Sequence, residues 1–190
     1  VDPSRNGHAH RRPVARNAKP KKANPAAAAA IAAAKYGVTE ERGPCTIAGQ
    51  WTYHNADGSE SFHVVRFNVD GSDAKEFRPI HPVDGGYLIG KPPGKLVLYG
   101  LDTLTAAEVV DVHEGEGCVD QARKLDRVAT TSAHGSKSPQ LTDWSPLAGK
   151  TVYIFPDNDR AGETYAIIVA GILIGLGCTV FIVRLPGLGK

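Results

Sequence analysis

Short apolar runs separated by polar breaks occupy most of this chain, and their spacing changes character half-way along. From Thr46 to Leu98 the runs are brief and rich in β-branched or aromatic residues, with turn residues between them. Trp51–His54 and Phe62–Phe67 flank Asn55-Ala56-Asp57-Gly58, which reads as a hairpin because Asp-Gly tolerates positive φ. Further strands are predicted at Lys75–Ile80, Tyr87–Ile89 and Leu96–Leu98, punctuated by Pro79, Pro82, Gly85-Gly86 and Pro92-Pro93. After that the pattern alternates. A short helix over Leu101–Glu108 leads into a strand at Val109–Val112; a helix follows over Cys118–Leu125, then strands at Val128–Thr131 and Thr151–Phe155. A helix from about Arg160 to Leu176 and a strand at Cys178–Val183 complete the series. Strands alternating with helices predict a parallel sheet with right-handed crossovers.

Composition divides the chain as well. Residues 1–22 hold seven basic side chains against Asp2 alone, a net +6, so the remainder carries −4 of the total +2. The first 25 or so residues lack hydrophobic periodicity and cannot bury enough apolar surface to order themselves. A linker is the favoured reading; a flexible arm touching nucleic-acid phosphates is the sharper one. Ala26–Ala34 suits a short helix. Three units are expected: a disordered basic and alanine-rich tail over 1–37, a small β-rich basic subdomain over 38–104, and an α/β domain over 105–190.

Cys45, Cys118 and Cys178 are too scattered for a zinc site or a disulfide framework, which fits a reducing, cytoplasmic location. Thr164–Val183 is twenty residues without formal charge, nominally enough to span a bilayer. Gly175-Leu176-Gly177 interrupts it, however, and Cys178–Val183 is strand-like, so a buried helix, a turn and a central strand explain it better. No membrane partner is expected.

The chemistry concentrates where apolar strands run into carboxylates. In an open parallel sheet, ligands bind beyond the carboxyl ends of the strands. Val109–His113 ends in Glu114-Gly115-Glu116, and Tyr153-Ile154-Phe155-Pro156 ends in Asp157-Asn158-Asp159. If the two strands are neighbours, Glu114, Asp157 and Asp159 gather in one volume, where a divalent cation would relieve their repulsion. Gly115 permits a sharp turn after Glu114, leaving that carboxylate free for acid–base work or metal binding. Glu116 reads as a helix-start carboxylate offsetting the dipole. Asp157 and Asp159 read either as hard oxygen ligands or as a turn residue and an N-cap. Arg66, Lys75, Arg78, Lys91 and Lys95 are either scattered surface cations or a cationic wall facing the acidic site. The polar loop Ser132–Pro139, with Gly135 and Lys137, would lie at another strand end, suited to a phosphate.

Taken together, VVDVHEGEGCVDQARKL, VATTSAHGSKSPQLTDW and VYIFPDNDRAGETYA resemble the Toprim domain of bacterial-type primases, topoisomerases and some nucleases. The likeness is to the primase-like Toprim proteins of phages and mobile elements. WTYHNADGSESFHVVRF, KEFRPI and LVLYGLDTL are similar to the basic subdomain that precedes Toprim in those primases. The resemblance implies an α/β fold: a Toprim domain with a central, mainly parallel sheet flanked by helices, preceded by a small β-rich subdomain. It implies acid–base catalysis by Glu114, Mg²⁺ (or Mn²⁺) on Asp157 and Asp159, and contacts to nucleic acid or nucleotide from Arg66, Lys75, Arg78 and Lys137. The implied activity is RNA-primer synthesis on a single-stranded DNA template from nucleoside triphosphates, in phage- or plasmid-like replication. Alternatives are a Toprim nuclease and a non-catalytic nucleic-acid-binding module.

A replicative helicase or ATPase domain outside this chain is a further implied partner, because no Walker-type G-x-x-x-x-G-K-[ST] occurs here. Three positions depart from the family pattern. His113 stands where an aliphatic residue is usual, Gly117-Cys118 replaces a more polar pair, and the family's additional Asp motif after Leu185-Pro186-Gly187 would fall beyond Lys190.

Overall fold

The computed structural model describes residues 45–69, 71, 75–84, 86–135 and 138–184. The tail expected over 1–37 and the expected phosphate contact Lys137 lie outside these residues.

Four strands form an antiparallel meander in the order β1-β2-β3-β4: β1 (Cys45–His54), β2 (Glu60–Val69), β3 (Lys75–Val83) and β4 (Gly86–Ile89). The hairpin joining β1 to β2 closes where Asp57 Oδ1 accepts from Ser59 N at 2.9 Å and from Ser59 Oγ at 2.6 Å. A second sheet is wholly parallel, in the order β6-β5-β7-β8: β5 (Val109–His113), β6 (Ala129–Thr130), β7 (Thr151–Phe155) and β8 (Thr179–Ile182). Helix α1 (Glu116–Arg123) follows β5, and α2 (Arg160–Gly175) links β7 to β8.

The parallel sheet has the larger core. Val110, Val112, Val152 and Ile154 pack beneath α2, against Tyr165, Val169 and Leu173. The other side of α2 is apolar but open, with Ile167 and Ile174 exposed. No helix among the described residues is long and apolar enough to cross a membrane. Just past the Leu176 C-cap of α2, Gly177 takes a left-handed φ of 75°, which lets Cys178 N reach back to Leu173 O at 3.0 Å and turns the chain into β8.

Two predicted elements differ. Leu96–Leu98 forms only an isolated bridge, Leu96 to Thr142, although Leu96 and Leu98 are fully buried; the segment fills a seam instead of joining a sheet. Leu101–Glu108 yields a single 3₁₀ turn, Leu101–Thr103, entered from a left-handed Gly100. Eight residues are too few to nucleate an α-helix without strong packing, and here Leu104 is the fully buried anchor.

The two sheets meet through buried side chains. Tyr53, Phe62 and Val64 of the antiparallel sheet pack with Leu96 and with Ala133 from the loop after β6. Polar contacts fasten β1 to α1: Tyr53 Oη donates to Glu116 Oε1 at 2.8 Å, and Trp51 Nε1 donates to Asp120 Oδ2 at 2.9 Å. Asp120 Oδ1 also accepts from Tyr99 Oη at 3.0 Å.

Candidate active site

Strands β5 and β7 are neighbours whose last paired residues are His113 and Phe155. Parallel pairing carries both chains off the same end of the sheet, so Glu114 and Asp157 emerge side by side. Glu114 Oε2 accepts from the backbone N–H of Asp157 at 3.3 Å. The approach is tight because Gly162, in the first turn of α2, has no side chain. A Cβ there would sit 2.3 Å from Asp157 O, 2.7 Å from Asp157 N and 2.8 Å from Glu114 Oε2. Tyr165, buried one turn further on, donates to His113 O at 3.2 Å and lies 3.2 Å from Ser132 Oγ, tying α2 to two strand ends.

Asp159 does something different from Asp157. It is the N-cap of α2, with Oδ1 accepting from Gly162 N at 2.8 Å. It lines a small hollow of about 100 Å³ together with Asp157, Glu163 and Arg184, the last two joined as an ion pair. Asp157 borders that hollow and the larger one alike.

The larger cavity, about 670 Å³, falls within the range of small-molecule sites. Glu114, Gly115, Glu116 and Asp157 make one wall, and Val64, Lys75, Phe77, Arg78 and Pro79 make the other. His134 and Gly135 close one side. Lys75, on the same face of β3 as Phe77, stands across the cavity from the carboxylates, whereas Arg78 pairs with Val65 on the other face and borders the cavity with its Nη1 donating to Phe77 O at 3.1 Å. Arg66 is not a lining residue; it sits opposite Phe77 in the β2–β3 register, with its Nε buried and unpaired among the described residues.

The electrostatics separate the candidates. Glu116 is buried, and desolvation raises its pKa; its Oε1 serves Tyr53, whose own pKa burial pushes well above the usual tyrosine value. A sequence-level reading as a dipole-offsetting carboxylate misses this role, which a lone Glu at a helix start does not signal. Burial also lowers the pKa of His113, whose ring stacks on Phe155 at 5.0 Å and whose Nε2 is buried and unpaired among the described residues. His134 stands in the left-handed region at φ 71°, and burial followed by the nearby Lys91 charge lowers its pKa. Both rings are thereby held towards neutrality. Burial, then Asp157 and Glu114, raise the pKa of the Cys118 thiol, which disfavours the thiolate that nucleophilic chemistry needs.

Among the described residues no three His, Cys, Asp or Glu side chains stand close enough to form a ready-made metal cage. Mg²⁺, though, is commonly held by one or two carboxylates, with substrate phosphates and water completing its shell. Asp157, exposed at the mouth of the cavity beside Glu114, fits that second mode.

No protein-family model matches this sequence, and no curated protein matches it. Among solved structures it is similar to the primase fragment of the bacteriophage T7 primase-helicase protein, with a TM-score of 0.50 and 17% identity. The match covers 75% of this chain and 54% of that fragment. This is a Toprim-like α/β fold. The fold accounts for the sheet order; what the acidic strand ends do rests on this chain's own residues. The chain spans little more than half of the T7 fragment, so an activity of the whole fragment does not transfer with the fold.

Proposed function

We propose that this chain is a primase-type nucleotidyltransferase that joins nucleoside triphosphates into RNA primers on single-stranded DNA, with Mg²⁺ or Mn²⁺, in phage- or plasmid-like replication. One observation carries the reading: within a primase-like Toprim fold, Glu114 and Asp157 share one wall of a cavity whose opposite wall presents Lys75, with Arg78 at its border. Asp157, joined by Asp159, would hold the metal, which when bound neutralises the triphosphate. Glu114 Oε2 lies beside the Asp157 backbone and takes a proton from the attacking primer hydroxyl, whose oxygen bonds to the α-phosphorus as the bond to the β-phosphate breaks and pyrophosphate leaves. Lys75 on the far wall and Arg78 at its border hold backbone phosphates, which keeps the template away from the carboxylates. A helicase or ATPase acting with this chain fits the same role.

Incubating the protein with single-stranded DNA and Mg²⁺, with and without nucleoside triphosphates, tests the reading. Short RNA products that require triphosphates are expected. Glu114→Gln and Asp157→Asn should each lower their yield about 100-fold or more. Asp159→Asn keeps an N-cap for α2 and so tests metal binding apart from folding. Shortening of the DNA without triphosphates would replace the primase reading with a nuclease one, and unchanged behaviour of all three variants would leave a binding module.

A further inference from the structure

Phe77 is 41% exposed on β3, and its ring position borders the large cavity. The antiparallel register explains its position. Val64 pairs with Pro79 and Arg66 with Phe77, so these four stand on one face of the sheet. Val65, Phe67 and Ile80 make a separate core cluster on the other face. Phe77 thus does not belong to that core; it lines the large cavity, on the wall facing Glu114 and Asp157. Lys75 lies two residues before it on the same face, and Arg78 directly after it. Across the ladder, Arg66 Nε is a buried donor without a partner among the described residues, a group that normally finds an acceptor.

We infer that Phe77 is a base-stacking platform for single-stranded DNA, with Lys75, which lines the same cavity, holding a phosphate beside the stacked nucleotide. An exposed ring beside a cation suits a nucleotide strand better than it suits an apolar partner: the ring takes the base and the cation takes the backbone. The carboxylate wall repels phosphate and confines the strand to the opposite side of the cleft. Because every base offers a π-face, this subsite tolerates any sequence. The inference rests on the nucleic-acid reading of the cleft, but not on catalysis.

Binding of a fluorescein-labelled single-stranded oligonucleotide to the intact chain, without Mg²⁺ or triphosphates, is the test. Phe77→Ala should weaken binding about 5- to 100-fold. Phe77→Leu, which keeps the apolar surface but removes the ring, should weaken it similarly, and Phe77→Trp should restore it. The salt slope separates stacking from charge: Phe77→Ala should leave it unchanged, whereas Lys75→Ala should reduce it by about 0.7. On an oligonucleotide with abasic sites throughout, wild type and Phe77→Ala should bind alike. Wild-type affinity in Phe77→Leu, an equal Phe77→Ala loss on the abasic strand, or no binding of DNA by wild type would each overturn the inference. Phe77-dependent binding without any primer synthesis would keep it and refute the primase reading instead.

Discussion

The parallel sheet buries one whole face beneath α2, with Val110, Val112, Val152 and Ile154 fully covered, whereas the antiparallel sheet divides its apolar residues between two small clusters. The acidic strand ends belong to the first and the cations to the second. Glu114 and Asp157 are therefore set by a continuous core, while the position of Lys75 and Arg78 depends on how the smaller sheet is fastened to the larger. Among the described residues that fastening includes an apolar seam around Tyr53, Phe62 and Leu96 and two side-chain hydrogen bonds from β1 to α1. The placing of the carboxylates and the width of the cleft thus have separate structural origins, and separate substitutions should disturb them.

The acidic side is most sensitive at Gly162. An exposed helical glycine replaced by alanine ordinarily gains about 1 kcal/mol. Here the added Cβ would meet Asp157 O at 2.3 Å, so the sign should reverse. Gly162→Ala is expected to lower stability by about 1–3 kcal/mol, read from denaturant melts. It should also reduce primer synthesis by about 100-fold through displacement of Asp157 and Glu114.

The fastening is tested at Glu116. Glu116→Ala leaves the buried Tyr53 hydroxyl without its acceptor and should cost about 1–3 kcal/mol. Glu116→Gln keeps an acceptor and removes a buried charge, so it should be the more stable of the two. Burial raises the Glu116 pKa, so the carboxyl favours folding most below its ordinary value of 4.5, and that advantage is lost as pH rises through the raised value. The stability of wild type relative to Glu116→Gln should fall over that interval. Trp51→Phe, which loses only the bond to Asp120, should cost about 1 kcal/mol, because Tyr99 still donates to that carboxylate.

The smallest effect concerns His113. Burial lowers its pKa, so its contribution to stability is present above the ordinary value of 6.5 and is lost as pH falls through the lowered value. His113→Phe retains a ring against Phe155 and should flatten the acid limb of a stability–pH curve. Part of the slope should remain, because burial lowers the pKa of His134 in the same direction.

Local patterning determined a good deal by itself. Short β-branched and aromatic runs and the Asp-Gly turn specify the meander, and the uncharged stretch with Gly177 specifies a buried helix that turns into a strand. Both signals are local, which is why they can be read without coordinates. The strand-to-carboxylate junctions at Glu114 and Asp157 were legible for the same reason. The capping role of Asp159 was not, because a turn residue, a metal ligand and an N-cap draw on the same residue type in the same turn; the bond from Gly162 N shows that Asp159 caps α2.

Tertiary structure alone decided the rest. Glu116 became a buried acceptor only because Tyr53, sixty-three residues earlier, reaches it across the seam between the sheets. Phe77 became a cavity wall and not core because of the register that places it opposite Arg66. Leu96–Leu98 has a strand's apolar pattern, yet it lies where no strand offers a continuous ladder. In each case the deciding partner is remote in sequence, and the free energy that selects the arrangement comes from burying or pairing that partner.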